Sequence, residues 1–219
     1  MNPRLRKLIL PAKPLITALN KVPASARAKR EFANAARPLK LEIAGLTPRD
    51  GWVVTNVGPT TRNYMDACSR WPLEDGSCSF VFSDNMIEHI TLDMARAMLA
   101  ETYRCLQPGG VTRIVTPDLR KHIDMYLAGE GVEGHIADHY RGMGLTVEHP
   151  IDMVRIPIAS FEHHLGYLYD FPTLEHELKK AGFSEVREVE LGESDHPELR
   201  GLDVRTGEGG AQLAVEAVK

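Results

Sequence analysis

Polar and titratable side chains collect in one short stretch of this 219-residue chain, directly after the apolar run 78–82. The stretch contains Ser83, Asp84, Asn85, Glu88 and His89. Carboxylates and imidazoles bind polar ligand atoms and transfer protons near neutral pH. Because ligands bind outside the carboxyl ends of the strands in open parallel sheets, these residues are predicted to form one wall of a binding site.

Further histidines occur in the second half of the chain. His163 and His164 are adjacent, and His196 lies between the last two predicted strands. A histidine near its ordinary pKa is a suitable base for a hydroxyl or amine group. His89, His163, His164 and His196 are therefore the candidate catalytic residues, and a structural or solvated role is the alternative for each.

One histidine pair has the spacing of metal ligands. His135 and His139 would lie on the same face of a helix, with Asp138 and His149 as additional candidate ligands. Neither an H-E-x-x-H motif nor a cysteine pair accompanies them. We therefore predict no metal site, and a metal hydrolase built on this cluster is a distant alternative.

The elements around the polar stretch follow from hydrophobic spacing. Residues 78–82 fit a strand buried on both faces, and Thr91 can cap the helix that follows. Gly109 and Gly110 are predicted to stop that helix, and residues 111–116 form the next strand. A strand, a helix and a strand with such short connections predict a right-handed parallel crossover.

The other segments are assigned in the same way. Residues 129–165, rich in His and Gly, are interpreted as an inserted cover over the active site. The remaining predicted elements are strands at 39–44, 52–57 and near Asp66, helices at 119–128 and 172–181, and a hairpin-like strand pair at 184–191 and 212–218.

Three sequence motifs carry a family resemblance. They are W-P-L-E-D-G-S at 71–77, E-H at 88–89, and E-T-Y-R-C-L-Q-P-G-G-V-T-R-I-V-T-P-D at 101–118. Together they resemble class I S-adenosylmethionine-dependent methyltransferases of the type 11 branch. The resemblance implies an α/β fold with a Rossmann-like, doubly wound, mostly parallel seven-stranded sheet in a three-layer α/β/α sandwich. Residues 38–219 would form this domain, with residues 1–37 as a basic N-terminal arm.

The same resemblance implies S-adenosylmethionine as the cofactor and assigns residues to it. Gly45 stands for the glycine loop after the first strand, and Asn56 stands where the family has an acidic residue for the ribose. Asp66, with Ala67, stands at the adenine position, although a turn-forming role for Asp66 is equally open. The other implied cofactor contacts follow the fourth strand of the family and are Ser83, Asp84, Asn85 and Glu88.

Asn56 is the main departure from the family pattern. A carboxylate accepts two charge-assisted hydrogen bonds from vicinal hydroxyls, whereas an amide offers one acceptor and one donor group. Asn56→Asp is therefore expected to tighten cofactor binding. The first functional hypothesis is a methyltransferase acting on a small molecule or a glycan precursor. The second is a non-catalytic, methyltransferase-like binding or assembly module that has lost cofactor affinity.

Charge is distributed unevenly along the chain. Residues 1–40 hold ten basic residues and one acid, a net charge of +9, and the remainder holds 16 bases and 29 acids, a net charge of −13. An acidic main body argues against nucleic-acid binding. The arm could contact an anionic membrane surface or a partner, pack on its own acidic domain, or be a signal peptide that Pro11, Lys13 and Pro14 interrupt.

Cysteine use indicates the compartment. Cys68, Cys78 and Cys105 are odd in number and lack metal-ligand spacing, which favours a reducing environment. We predict a cytoplasmic protein, with peripheral membrane attachment as the alternative. The sequence leaves the oligomeric state open.

Overall fold

The computed structural model describes residues 3–129, 132–203 and 211–219. The α-helices are α1 (Pro3–Asn34), α2 (Leu92–Cys105), α3 (Leu119–Leu127), α4 (His135–Gly142), α5 (Asp152–Ala159) and α6 (Phe171–Ala181). The strands are β1 (Leu39–Ile43), β2 (Val53–Thr55), β3 (Cys78–Asp84), β4 (Leu106–Pro117), β5 (Val186–Val189) and β6 (Gln212–Val218). None of these helices combines the length and apolarity needed to cross a bilayer.

The strands form one mixed sheet in the order β2-β1-β3-β4-β6-β5. The first four in that order are parallel, and β6 pairs antiparallel with both β4 and β5. The segment from β3 through α2 to β4 is the predicted parallel crossover. Because β1, β3 and β4 all run in one direction, their carboxyl ends meet at one edge of the sheet, as predicted for the site.

The expected seventh strand, near Asp66, does not form, so the sheet has six strands in the described part of the chain. Tyr64 makes a single parallel bridge with Asn56. Asn63 Nδ2 donates a hydrogen bond to the Val54 carbonyl at 3.0 Å, and the chain then turns at Asp66. With this side-chain hydrogen bond and the turn so close together, the segment is too short to pair as a strand.

Helix α2 begins as predicted and ends earlier than predicted. Thr91 accepts a hydrogen bond from the Met94 amide at 3.4 Å, as an N-cap does. The helix ends at Cys105, so the stop predicted at Gly109 and Gly110 is wrong. The residue before a proline avoids the helical region, which accounts for an end ahead of Pro108. The freed carbonyl of Leu106 accepts from the Lys219 ammonium at 2.7 Å.

The two faces of the sheet are covered differently. Helices α1, α2 and α6 pack apolar side chains on the first face, including Phe32, Leu99 and Leu178. The second face carries a smaller apolar cluster around Phe82, completed by Leu199 and Leu202 from the segment 190–203.

A buried arginine lies on that second face. The Arg113 guanidinium pairs with Asp203 and with Glu216, and all three side chains are at most 1% exposed. It also donates to the carbonyls of Glu190 and Glu193 at 3.1 and 2.8 Å. Burial lowers the pKa of Arg113, but the hydrogen bonds and charges of Asp203 and Glu216 together outweigh it, so the pKa is raised. They also attach the segment 190–203 to the sheet.

The segment between β4 and α6 folds over the carboxyl edge of the sheet. Asp118 caps α3 by accepting from the amides of Arg120 and Lys121 at 2.9 and 3.3 Å. Helices α4 and α5 enclose their own apolar cluster, which includes Tyr140 and Met153. These elements supply the outer wall of the site described next.

Candidate functional site

The central feature of the carboxyl edge is a cavity of about 200 Å³, here called the histidine cavity. It lies where β3 and β4 end, and the segment 135–163 closes its outer side. The lining includes Asn85, Glu88, His89, Tyr140, His163 and Gln212. A mostly enclosed cavity with a few converging polar groups is the usual form of a small-molecule site.

Glu88 is the most deeply placed acid of this cavity. It belongs to the 3-10 turn Ile87–His89 after β3, and its side chain is fully buried. Its Oε2 accepts a hydrogen bond from Thr116 Oγ1 on β4 at 3.1 Å. The carboxylate is thus held between the ends of two central strands.

Two predicted histidines meet beside this carboxylate. The His89 and His163 rings pack edge to face with centroids 4.7 Å apart, and His89 Nε2 lies 3.9 Å from Glu88 Oε1. His163 is buried, and its Nδ1 lies 2.8 Å from the Pro157 carbonyl. Since a carbonyl only accepts, Nδ1 is the donor in this contact, and in the neutral ring Nε2 is the acceptor nitrogen.

Gly166 allows this close approach of the two segments. A Cβ at Gly166 would lie 2.0 Å from the Glu88 carbonyl oxygen and 2.8 Å from the His89 carbonyl carbon. Backbone atoms cannot move aside cheaply, so position 166 requires glycine. The 3-10 turn His163–Leu165 is therefore held directly against the turn that carries Glu88 and His89.

The residues at the very end of β3 behave individually. Ser83 is buried inside the sheet, and Asp84 is half-buried at its edge. Asn85 has a left-handed φ of 47°, and its amide donates to the Val115 carbonyl at 2.9 Å. Among the described residues, Asn85 Oδ1 is buried and accepts no hydrogen bond. Asn85 lines the histidine cavity, whereas Ser83 and Asp84 are not among its lining residues.

The other two histidine candidates lie elsewhere. His164 is exposed and is not among the lining residues of the histidine cavity. His196 packs edge-on against Phe80 with centroids 5.7 Å apart, on the second face of the sheet. The structure thus brings together His89 and His163 and separates them from His164 and His196.

A larger cavity, of about 620 Å³, lies beyond the ends of β1 and β2, and we call it the glycine-loop cavity. Gly45, Arg49, Asn56, Gly58 and Thr61 are among its lining residues. A Cβ at Gly45 would lie 2.4 Å from Val54 Cγ1, so any other residue there would displace the Val54 side chain. The volume is within the range of small-molecule pockets.

Asn56, directly after β2, has its side chain fully engaged in hydrogen bonds. Its Nδ2 donates to the carbonyls of Ala44 and Gly45 at 3.0 and 3.1 Å. Its Oδ1 accepts from the amides of Val57 and Gly58 at 2.7 and 3.0 Å. Both amide protons and the carbonyl oxygen are thus used within the chain, and the side chain ties the loop after β1 to the loop after β2.

Asp66 and Ala67 form a turn. Asp66 Oδ1 accepts from the Cys68 amide and Oδ2 from Ser69 Oγ, each at 2.9 Å. The Ala67 carbonyl accepts from the Trp71 indole at 3.0 Å, and Ala67 is buried in the core. Neither residue is among those lining the glycine-loop cavity or the histidine cavity. These bonds are those of the turn-forming alternative.

Sequence spacing pointed to a different histidine cluster from the one the structure assembles. Within the described ranges, one group of three His, Cys, Asp or Glu side chains has mutually close ligand atoms, and it consists of Glu88, His89 and His163. It includes neither His135 nor His139. His135 is exposed at the start of α4.

The sequence also missed contributors to the histidine cavity. Tyr140 lies on α4, and Gln212 begins β6, where antiparallel pairing sets it opposite Pro117. The one feature of the sequence that could have indicated Tyr140 is that it is an aromatic residue within the predicted cover. Behind Tyr140, burial lowers the pKa of His122 to about 4, and the backbone of Met153 opposes this shift.

Comparison with known proteins identifies part of the chain. Residues 49–114, less than half of the chain, match the sequence model of a family described as "Methyltransferase domain". The matched stretch runs from the loop before β2 through β3 and α2 into β4. Residues 49–114 are therefore similar to this family. No protein of curated function matches the chain in sequence.

Solved structures of low identity resemble the fold. An S-adenosylmethionine-dependent methyltransferase of Thermotoga maritima, named as a possible histamine N-methyltransferase, is 14% identical with a TM-score of 0.47, over 94% of this chain and 92% of that one. A methyltransferase of Archaeoglobus fulgidus is 16% identical with a TM-score of 0.46, over 93% and 94%.

A third structure is larger. Phosphoethanolamine N-methyltransferase 2 of Haemonchus contortus, solved with phosphomonomethylethanolamine and S-adenosylhomocysteine, is 18% identical with a TM-score of 0.44, over 89% of this chain. The present chain spans about half of that structure, 51%.

Proposed function

We propose that this protein is an S-adenosylmethionine-dependent methyltransferase whose acceptor, a small molecule or a glycan precursor, binds in the histidine cavity. The observation that carries the proposal is the convergence of Glu88, His89 and His163 at the carboxyl edge of a sheet that bears the methyltransferase-domain match. His163, which lines this cavity, would act as the base that takes a proton from a hydroxyl or amine acceptor. Glu88 and His89 would orient the acceptor.

The cofactor side of the site fits in shape but not in the side chains assigned to it. The glycine-loop cavity is large enough for a nucleoside, and Gly45 allows close backbone approach. Asn56 Oδ1 already accepts two hydrogen bonds and Nδ2 donates two, so its amide is used within the chain. Asp66 holds its own turn and is not among the residues lining the cavity. Arg49 and Thr61 are among the polar side chains lining the cavity that would have to replace them. S-adenosylmethionine, when bound, would supply an electrophilic methyl group.

A thermal-shift titration with S-adenosylmethionine and S-adenosylhomocysteine tests the cofactor. Ligand at a hundredfold over its dissociation constant stabilises a fold by about 2.7 kcal/mol. For a chain of this size we expect Tm to rise by roughly 5–10 °C. Absence of a shift at millimolar ligand would contradict the proposal.

Labelled methyl transfer to a panel of small amines, alcohols and sugar derivatives tests the acceptor. His163→Gln is expected to lower transfer by about 10²- to 10⁴-fold, the usual contribution of a general base. His164→Gln is the matched control, because His164 is an exposed neighbour, and it should leave methyl transfer unchanged. Equal loss in both variants would contradict the role of His163.

The engaged side chains of Asn56 and Asp66 favour a second candidate function, a non-catalytic binding or assembly module. Such a module would keep the fold and the histidine cavity without binding the cofactor. The same titration separates the two functions, because the module shows no shift with S-adenosylmethionine or its demethylated product. Methyl transfer to any acceptor would exclude it.

Helix α1 supports a further proposal, contact with an anionic membrane surface. Its inner face packs on the domain through Ala24, Ala28 and Phe32. The opposite face exposes apolar side chains at i, i+4 and i+7 spacing: Leu15 is 64%, Leu19 69% and Val22 76% exposed. An apolar stripe on a basic helix is typical of interfacial helices.

Vesicle co-sedimentation tests this contact. We expect binding to vesicles with anionic lipid and little binding to neutral ones, and Leu19→Glu should abolish it. Leu127→Glu is a control, because Leu127 is 73% exposed but lies on α3. Binding that survives Leu19→Glu would exclude α1 as the contact.

A further inference from the structure

The Glu88, His89 and His163 side chains form a compact donor set of a kind that metals use. Each offers one ligand atom, and the three atoms lie within 4.8 Å of one another. Two imidazoles and one carboxylate, with one coordination position left open, are a common ligand set of Zn²⁺ and related divalent ions. We propose that this triad binds a divalent transition-metal ion, Zn²⁺ being the probe of choice, with its open position facing the histidine cavity.

The triad is built by three separate parts of the fold. Thr116 Oγ1 donates to Glu88 Oε2 at 3.1 Å, which leaves Oε1 on the side of the histidines. The Pro157 carbonyl binds His163 Nδ1 at 2.8 Å, which orients the ring and keeps Nε2 as the ligand atom. Outer hydrogen bonds of this kind, from a ligand histidine to a carbonyl, are characteristic of metal sites.

The separation of the Glu88 and His89 ligand atoms requires only a small contraction. Ligand atoms of a tetrahedral Zn²⁺ ion lie about 2.0–2.2 Å from the metal and therefore roughly 3.3 Å from one another. Glu88 Oε1 and His89 Nε2 are 3.9 Å apart. The His89 side chain is 40% exposed, whereas that of Glu88 is fully buried. We therefore expect His89 to make the larger adjustment when a metal ion binds.

An independent feature of the same cavity supports a bound polar species. Asn85 Oδ1 is buried at the cavity wall, and within the described part of the chain it accepts no hydrogen bond. A buried acceptor without a partner is unfavourable. A water molecule on the open position of the metal would donate to it. A fully buried carboxylate such as Glu88 is also stabilised by a nearby cation.

Sequence spacing could not have predicted this triad. Glu88 and His89 are adjacent, and His163 lies in a separate turn brought in by α5 and Gly166. The pair with metal-like spacing, His135 and His139, is outside the triad. The inference therefore replaces the expectation of no metal site.

Calorimetric titration of tag-free, chelator-treated full-length protein with Zn²⁺ tests the proposal, with Co²⁺ as an absorbing substitute. We expect one Zn²⁺ per chain and the visible absorption of low-coordinate Co²⁺. His89→Ala and His163→Ala should each weaken Zn²⁺ binding at least tenfold. His164→Ala and the double variant His135→Ala/His139→Ala are the matched controls and should bind as the unaltered protein does.

Circular dichroism and unfolding curves confirm that each variant is folded. His89→Ala carries the test if the buried His163→Ala variant does not fold, because His89 is partly exposed. Absence of Zn²⁺ binding, equal binding by His89→Ala, or loss confined to the His135/His139 variant would overturn the proposal. An Nε2 atom that binds Zn²⁺ cannot also accept a proton, so metal binding and the general-base role of His163 exclude each other in one molecule. Metal binding is measured without cofactor or acceptor, so failure of this test is distinguishable from failure of the proposed methyl transfer.

Discussion

Replacing Asn56 by aspartate distinguishes two roles for this residue. If position 56 holds a ribose, a carboxylate should tighten cofactor binding. In the structure, however, Nδ2 donates to two carbonyl oxygens, of Ala44 and Gly45. An aspartate has no proton to donate at neutral pH and would direct a negative oxygen at both carbonyls. We therefore expect Asn56→Asp to destabilise the fold.

The magnitude follows from the bonds lost. Two hydrogen bonds of 3.0 and 3.1 Å disappear, each with a net contribution of about 1 kcal/mol. Repulsion between the two carbonyl oxygens and the anionic oxygen of aspartate adds about 1 kcal/mol more, for a total of roughly 3 kcal/mol. The bonds from Val57 and Gly58 to Oδ1 are retained. For a chain of this size, Tm should fall by roughly 6–12 °C.

Urea unfolding and thermal denaturation measure this change, and titration with S-adenosylmethionine accompanies them. Asn34→Asp is the control, because Asn34 is exposed at the end of α1 and the same exchange there should change stability by about 0.5 kcal/mol or less. An Asn56→Asp variant with unchanged Tm and tighter cofactor binding would refute the role of the amide as a tie between the two loops.

Three further variants test the packing of the fold. Gly166→Ala is expected to cost more than 2 kcal/mol and to weaken Zn²⁺ binding, because its Cβ meets the Glu88 carbonyl at 2.0 Å, whereas Gly142→Ala, in open space on α4, should be neutral or slightly stabilising; equal unfolding curves would refute the close contact. Arg113→Met should cost about 3–5 kcal/mol by leaving two carboxylates buried without their cation, and the partly exposed Arg187→Met should cost about 1 kcal/mol or less. His122 is neutral in the fold, with its pKa lowered to about 4 from the 6.5 of an unfolded chain. The free energy of unfolding is therefore unaffected by His122 above pH 6.5, and up to about 3 kcal/mol of it is lost as pH falls from 6.5 to 4. His122→Gln should flatten the pH dependence of unfolding in that window.

The elements of the fold could largely be predicted because local signals specify them. Apolar runs gave the central strands, and Thr91 and Gly182 mark the start of α2 and the end of α6. The expected strand near Asp66 does not form, because the Asn63 side chain donates to the Val54 carbonyl that a neighbouring strand would use. Side-chain competition of that kind depends on atoms that periodicity does not register.

The site was predicted less completely than the fold. Sequence reasoning located Glu88 and His89 at the carboxyl edge because strand direction alone determines where the residues after a strand lie. It could not choose among the histidines of the second half, since loop conformation decides which of them turn inward. It also could not show that Asn56 and Asp66 spend their hydrogen bonds inside the chain.

The sequence by itself determined the central strands and the helix between β3 and β4, and therefore which edge of the sheet carries the polar residues. Only the tertiary structure decided that His163 joins Glu88 and His89, whereas His164 and His196 lie elsewhere. The physical reason is range. Hydrophobic period and capping act over a few neighbouring residues, whereas the triad depends on a close backbone contact at Gly166 between turns that are far apart in the chain.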